Sequence, residues 1–230
     1  MKWQSFWSDF VDLVFPRCCE ACDSSLIGNE STICTTCRIG LPRVGNQNMH
    51  QNETIYLMDD RWPVLEVQSF LLFTKRGKVQ KLLHALKYRG AKEVGIALGK
   101  MYGDEMLSAG NFPQVDLIVP VPLHPRKRRS RGFNQSDAIA EGIALSTAVP
   151  WSNQYLIRTK FTETQTGKGK LERRENVKNV FAVSGEMQAK KVLLIDDVLT
   201  TGATVEACVI ALYESGCEEV FVRTIAVAKY

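Results

Sequence analysis

Hydrophobic positions recur along the chain with two periods, and each period predicts one type of element. Apolar residues at helical spacing predict helices, whereas short continuous runs of aliphatic residues predict buried strands. The predicted strands cover residues 67–74, 115–121, 155–157, 180–183, 192–195 and 220–228, and the predicted helices cover 79–86, 94–106, 134–145 and 203–214. Because strands separated by single helices favour parallel pairing, we expect an α/β protein with a mostly parallel sheet flanked by helices on both faces.

The N-terminal part of the chain follows a different pattern. Apolar residues between Trp3 and Val14 recur at helical spacing, which predicts a helix that Pro16 ends. Residues 45–63 are polar and have no periodicity, which is typical of a linker. The predicted organisation is therefore an N-terminal helix and cysteine module over residues 1–44, a linker over 45–63 and a main domain over 64–230.

Five of the seven cysteines lie in the N-terminal module, and four of them form two C-x2-C knuckles. Two such turns, Cys19 to Cys22 and Cys34 to Cys37, can complete a tetrahedron around Zn²⁺. Four ligands close a site to substrate, so we expect a structural zinc ion, the alternative being four unligated core thiols. Cys18 remains an alternative ligand to Cys19, because a C-x3-C spacing to Cys22 also has acceptable geometry.

The composition excludes several classes of protein. With 45% hydrophobic and 23% charged residues, the chain has neither a disordered, a collagen-like nor a coiled-coil composition. A net charge of +4 permits an anionic partner without requiring one. No apolar run is long enough to span a bilayer, and the N-terminus lacks the pattern of a secretory signal. We therefore expect a cytoplasmic protein without a membrane span.

The strongest chemical signal follows the buried strand at residues 192–195. This strand leads into Asp196 and Asp197, and then into the turn 200–204, a Thr-Thr-Gly-Ala-Thr stretch that opens a helix. Free N–H groups, hydroxyls and the helix dipole make such a turn suitable for a phosphate monoester, and Gly202 permits close backbone approach. The two acids can accept hydrogen bonds from sugar hydroxyls or face Mg²⁺. The pattern predicts a site for a phosphorylated sugar; a simple capped helix would explain one threonine and one glycine.

A second candidate for ligand binding is the segment that follows the predicted strand 115–121. The strand runs into a proline-stiffened loop, Val121 to His124, and then into a basic run between Arg126 and Arg131. Since the loop follows a strand end, this run is expected to lie near the phosphate turn. An anion site and an ordinary solvated face are both compatible with it.

The stretch Val192 to Thr204 resembles the binding signature for phosphoribosyl pyrophosphate (PRPP) of the type I phosphoribosyltransferases. This resemblance implies that Asp196 and Asp197 hold the ribose hydroxyls, help to orient Mg²⁺ and can act as general base. It assigns the 5′-phosphate to the turn residues, Thr200, Thr201, Gly202, Ala203 and Thr204. The loop residues Val121, Pro122 and Leu123, together with Arg126, would by position bind the pyrophosphate.

The chain as a whole resembles the ComF family of competence and DNA-utilisation proteins. The resemblance is carried by the four-cysteine module, Leu86 to Gly90, Pro120 to Pro122, Arg131 to Gln135, Gln165 with Arg173 and Asn176, and the Asp196-Asp197 motif, in that order. It implies a type I phosphoribosyltransferase fold, PRPP as ligand, single-stranded DNA and a competence helicase as partners, and a role in DNA uptake or utilisation. Two functions remain open: a PRPP-binding protein that handles DNA, and an active phosphoribosyltransferase acting on a base or another nucleophile.

The polar segment from Thr159 to Asn179 is predicted to be a functional loop. It carries six cations and two glycines and is too long for an ordinary connection in a compact domain. In phosphoribosyltransferases such a loop closes over the pyrophosphate and excludes water. Contact with a nucleic-acid backbone is the other use that the sequence allows.

Overall fold

The structure is a computed structural model that describes residues 17–45, 66–159 and 180–228. The predicted N-terminal helix, most of the predicted linker and residues 160–179 of the predicted loop lie outside the described residues. The ends of that loop are described: the Thr159 amide donates to the Val180 carbonyl at 2.8 Å.

The described ranges contain six helices and six strands. In chain order these are α1 (Thr35–Gly40), β1 (Glu66–Phe73), α2 (Lys78–Tyr88), α3 (Lys92–Ser108), β2 (Leu117–Pro120), α4 (Pro125–Arg131), α5 (Gln135–Thr147), β3 (Leu156–Arg158), β4 (Phe181–Val183), β5 (Lys191–Leu199), α6 (Ala203–Glu214) and β6 (Glu219–Ala228). Several features differ from the sequence prediction, which did not include the short helix α1. Strand β5 continues four residues beyond Ile195, and the basic run folds into the short helix α4.

Four of the strands form one parallel sheet in the order β1-β6-β5-β2. The expected mostly parallel sheet is therefore confirmed. Strands β3 and β4 lie outside it and pair with each other antiparallel, Ile157 opposite Ala182. Of the helices in the described ranges, none combines the length and the apolar character needed to cross a membrane.

Helices cover both faces of the parallel sheet, as the sequence predicts. Alternate strand residues point to opposite faces, so Leu193 belongs to one apolar core and Leu194 to the other. The first core packs against α2, α3 and α5, and the second packs against α6 and the β3–β4 pair. The carboxyl ends of β2 and β5 lie side by side, with Pro120 opposite Ile195, and this edge carries the residues that the sequence predicts as the site.

The cysteine module packs on the free edge of β1 and continues the first core. Cys19 and Cys37 are buried in the same apolar cluster as Leu71 of the sheet. The segment after α1 adds two antiparallel hydrogen bonds to β1: the Leu72 amide donates to the Pro42 carbonyl at 2.9 Å, and the Val44 amide donates to the Phe70 carbonyl at 3.1 Å. The module is thereby fixed to the sheet by backbone bonds as well as by apolar contacts.

Candidate functional site

The two predicted acids lie in β5, near the carboxyl end of the sheet. Asp196 and Asp197 follow the four fully buried residues Val192 to Ile195. Asp196 is in register with Thr224 of β6, so the backbone of this part of β5 is still held by a neighbouring strand. Ligands of open α/β sheets bind at this edge. Because β5 extends through the acids, their positions are set by the sheet rather than by a loop.

Asp196 is half-buried, and its side chain accepts two hydrogen bonds. Its Oδ1 atom accepts a hydrogen bond from the Ser136 hydroxyl at 3.2 Å and from the Asp197 amide at 2.8 Å. Burial, followed by the negative charge of Asp197, raises the pKa of Asp196 to about 7. A carboxyl group with such a pKa can accept or release a proton at neutral pH, which is the property of a general base.

Asp197 is paired with a lysine that sequence analysis did not assign to the site. Lys87, in the last turn of α2, places its Nζ atom 2.8 Å from Asp197 Oδ2, and the two side chains are only 22% and 15% exposed. One of two adjacent carboxylates is thus balanced by a shielded ammonium group. Lys87 belongs to the Leu86–Gly90 motif, and this motif could have identified it as a candidate site residue. Its contact with Asp197, 110 positions away, arises only from the fold.

The predicted phosphate turn is a helix N-terminus with open hydroxyls. Gly202 adopts a left-handed conformation with φ 75° and precedes the first residue of α6. Thr200, Thr201 and Thr204 are exposed, whereas Gly202 is buried. The first amides of a helix have no partner within it. The N-cap residue here is Gly202, which has no side chain that could accept a hydrogen bond from them. The turn can therefore offer N–H and O–H donors to one anion.

The predicted pyrophosphate loop is attached to the strand that carries the acids. The Val121 amide donates to the Ile195 carbonyl at 2.8 Å, and the Asn134 side chain donates to the Val121 carbonyl at 3.0 Å. Pro122 and Leu123 follow as partly buried residues. Loop and acids are therefore neighbours, as sequence analysis predicts.

Helix α4 begins directly after this loop, where the basic run is. Pro125 occupies its first turn and His124 caps it by accepting a hydrogen bond from the Arg126 amide at 3.1 Å. Gly132, with φ 82°, ends it. These are ordinary helix start and stop signals, and the sequence prediction did not use them. The helix places the exposed Arg126 one turn from the loop.

Two further cations lie close enough to the acids to interact with them electrostatically. Burial lowers the pKa of Lys127, and Arg131 and Arg158 lower it further, while the charge of Asp197 opposes this change. Burial also lowers the pKa of Arg158, against the charge of Asp196. Arg158 ends β3, where its guanidinium lies 5.3 Å from the Phe181 ring centre. Sequence analysis included Lys127 only as part of the basic run, and it did not consider Arg158, because only the folded chain brings β3 near the acids.

The four predicted metal ligands also come together. The Sγ atoms of Cys19, Cys22, Cys34 and Cys37 all lie within 4.8 Å of one another. The Cys22 and Cys34 sulfurs are 3.8 Å apart, which is about the edge of a tetrahedron with metal–sulfur bonds of about 2.3 Å. Burial raises the pKa of Cys37 to about 12, so a thiolate there requires a cation. Cys18 is exposed and outside the cluster, and the residues present fit a tetrahedral metal ion.

Comparison with known proteins gives sequence relatives. No protein-family model matches the chain. It is 35% identical over 142 residues to the DNA utilization protein YhgH of Salmonella typhi, a match covering 60% of this chain and 63% of the relative. It is 35% identical over 114 residues to competence protein F of Haemophilus influenzae, covering 48% and 50%. Competence protein ComFC of Streptococcus pneumoniae is 26% identical over 204 residues, covering 85% of this chain and 87% of the relative.

The predicted resemblance to the ComF family is confirmed, since these relatives are competence and DNA-utilisation proteins. The match spans less than two thirds of the length of the YhgH relatives, although it spans most of ComFC. Among solved structures, the chain is similar to a glutamine PRPP amidotransferase from B. subtilis, with TM-score 0.41 and 20% identity over 61% of this chain and 30% of that one. It is also similar to adenine phosphoribosyltransferase from Leishmania tarentolae, with TM-score 0.38 and 15% identity over 69% and 91%.

The expected fold class is confirmed: an α/β fold with a parallel sheet flanked by helices, and an N-terminal cysteine cluster that could hold a metal ion. The site residues stay a prediction. The structure brings the acids, the threonine turn and the proline loop to one edge, and it adds Lys87, Lys127 and Arg158 to their surroundings.

Proposed function

We propose that this protein binds PRPP with Mg²⁺ at the carboxyl edge of its sheet, and that it acts in the cytoplasm on single-stranded DNA during DNA uptake or utilisation. The observation that carries the proposal is the meeting of three elements at one edge. Two shielded acids, an open helix N-terminus with three threonines and a basic helix after a rigid loop match the parts of PRPP: hydroxyls, a monophosphate and a pyrophosphate.

The ligand would lie across the carboxyl ends of β5 and β2. Its 5′-phosphate would accept hydrogen bonds from the 200–204 turn, and its ribose hydroxyls would donate to Asp196 and Asp197. The pyrophosphate would lie against the Val121–Leu123 loop, within reach of Arg126 and Lys127. Mg²⁺ is commonly held by one or two carboxylates together with substrate phosphates, so the two acids fit that ion without a dedicated cage.

The surrounding residues also fit a transfer reaction, the alternative function. The bond between C1 of the ribose and the pyrophosphate would break, and a bond from C1 to a nucleophile would form. Asp196, with its raised pKa, would take the proton that the nucleophile loses. The positive side chains Lys127 and Arg158 would stabilise the charge on the departing pyrophosphate. Mg²⁺ would supply further charge neutralisation there.

We assign the cysteine cluster to a structural zinc ion. Four thiolate ligands leave no open position for a substrate, and sulfur ligands at tetrahedral spacing favour zinc among common metals. The ion would stabilise a module whose apolar core is continuous with that of the sheet.

The DNA role is supported by the names of two relatives, a DNA utilization protein and a competence protein, and by the exposed arginines of α4, Arg126, Arg128 and Arg129. Such a surface can neutralise phosphates. A competence helicase as partner is proposed on the family resemblance alone.

Calorimetry tests the PRPP proposal. PRPP with Mg²⁺ should bind the wild-type protein, and Asp197→Ala should weaken binding by about 10- to 150-fold, since hydrogen bonds to charged groups contribute about 1.5–3 kcal/mol. Glu218→Ala, which removes an exposed acid at the opposite edge, should leave binding unchanged. Absence of binding heat in the wild type, or equal affinity of Asp197→Ala, would contradict the assignment.

Pyrophosphate release in the presence of candidate bases would show that the alternative function, transfer of the phosphoribosyl group, takes place.

A further inference from the structure

Tyr88, the last residue of α2, is an aromatic side chain with 67% of its surface exposed. A single exposed apolar residue is ordinary in a protein. This one contacts two other flat groups: the His84 ring lies 4.9 Å away at an angle of 44°, and the Arg131 guanidinium carbon lies 5.5 Å from the ring centre. We call these three side chains the Tyr88 platform.

Local structure fixes the platform from two elements. His84 and Tyr88 are four residues apart on α2 and therefore share one helix face. Arg131 ends α4 and is oriented by a hydrogen bond from its Nη1 atom to Gln135 Oε1 at 2.7 Å. The guanidinium is thus held beside the aromatic ring instead of moving freely in solvent, and the ring is presented with its position already set.

The surroundings of the platform are cationic and adjoin the proposed site. Lys87, the preceding residue, contacts Asp197. Arg131 belongs to the same short helix as the exposed Arg128 and Arg129. An apolar protein partner would gain little from a single ring among arginines, whereas an anionic polymer with flat rings would gain from both features.

We propose that the Tyr88 platform stacks a base of single-stranded nucleic acid while the exposed arginines of α4 contact the adjoining phosphates. Proteins that bind single strands without reading sequence combine aromatic stacking with a basic surface in this way. The inference rests on the DNA half of the proposed function and extends it to a defined surface. PRPP carries no base, so the proposed stacking does not concern that ligand.

Fluorescence anisotropy with a labelled thymine oligonucleotide and a matched abasic oligonucleotide tests the proposal, because the abasic strand keeps the phosphates and lacks the rings. Wild type should bind the thymine strand more tightly than the abasic strand. Tyr88→Ala should weaken binding of the thymine strand about 5- to 150-fold, the equivalent of about 1–3 kcal/mol per stacked base, and should bind both strands alike. Tyr88→Phe should retain most of the difference.

Two control variants separate stacking from charge and from folding. Leu145→Ala removes an equally exposed apolar side chain, 66% exposed, near the far end of α5, and should bind as the wild type does. Arg128→Ala should weaken both strands and reduce the salt dependence of binding, whereas Tyr88→Ala should leave that dependence unchanged. All variants should melt within a few degrees of the wild type, since exposed substitutions change stability by about 0.5 kcal/mol or less.

The contrary outcomes are distinguishable. Equal binding of thymine and abasic strands by the wild type would refute the platform and leave the DNA role intact. No strand binding by the wild type would refute both, and it would leave the PRPP calorimetry as a separate result. If Tyr88→Ala weakened binding of free thymine but not of the strand, the platform would serve a free base and the strand proposal would fail.

Discussion

At the scale of single residues, two adjacent carboxylates have different environments. Asp196 is half-buried, with the Ser136 hydroxyl and a backbone amide as donors, and its pKa is raised to about 7. Asp197 is balanced by the Lys87 ammonium at 2.8 Å. Neighbouring acids in unequal environments commonly divide acid–base and electrostatic roles. We infer that Asp196 is the group that exchanges a proton, whereas Asp197 is the carboxylate that pairs with the Lys87 side chain.

Replacing Asp196 by Asn should stabilise the protein in a pH-dependent way. The pKa of Asp196 is about 7 in the folded protein and about 3.8 in the unfolded chain, so the folded state binds more protons between these values. Wild-type stability from this group is therefore lost as pH rises from about 4 to 7. The advantage of Asp196→Asn should be near zero below pH 4 and reach at most about 4 kcal/mol above pH 7. Urea unfolding of both proteins across this range measures it; a constant difference would argue against the raised pKa.

At the scale of elements, most helices and strands follow from the sequence pattern. The predicted helix 203–214 is found at the same residues as α6, and the predicted helix 134–145 appears as α5 with Asn134 as its cap. Helix α4 was missed because its seven residues, five of them basic, have no apolar face to produce a period. The close packing of α3 against α5 was also not predicted. It depends on glycines: a Cβ atom at Gly142 would lie 2.2 Å from the Ile96 carbonyl oxygen.

Gly142→Ala should destabilise the α3–α5 contact without touching the proposed ligand. The added methyl group would meet backbone atoms, which cannot rotate away, so we expect a loss of at least about 2 kcal/mol in the free energy of unfolding. Gly40→Ala is the matched control, because its Cβ would meet only the flexible Lys78 Nζ at 4.0 Å. Thermal and urea unfolding compare the two variants. Equal stability of Gly142→Ala and the wild type would contradict the packing described.

At the scale of the whole molecule, the cysteine module and the sheet share one apolar core. Cys37 and Leu71 belong to the same buried cluster, and the module adds antiparallel backbone bonds to β1 through Pro42 and Val44. Loss of a metal ion would therefore destabilise the sheet as well as the two C-x2-C knuckles. The site edge, by contrast, is built by β2, β5 and α6.

Cys37→Ser should lose the zinc ion and weaken β1. One zinc ion per chain should be measured in the wild-type protein after gel filtration, and less in Cys37→Ser. Hydrogen exchange at Leu72, whose amide bonds to Pro42, should become faster in that variant. Cys18→Ser should keep the metal, because Cys18 is exposed and outside the cluster. If Cys18→Ser lost the zinc and Cys37→Ser kept it, the ligand set would be wrong.

The sequence by itself determined the local elements, the pairing of knuckles and the motif of acids, threonines and glycine, because periodicity, turn residues and ligand spacing are properties of neighbouring positions. Only the tertiary structure decided which distant residues meet these groups. Lys87 contacts Asp197 because α2 packs against the apolar core that contains Leu193 and Ile195 of β5. Arg158 interacts electrostatically with Asp196 although β3 lies outside the main sheet. Such contacts depend on the crossing of elements in space, which no spacing along one chain records.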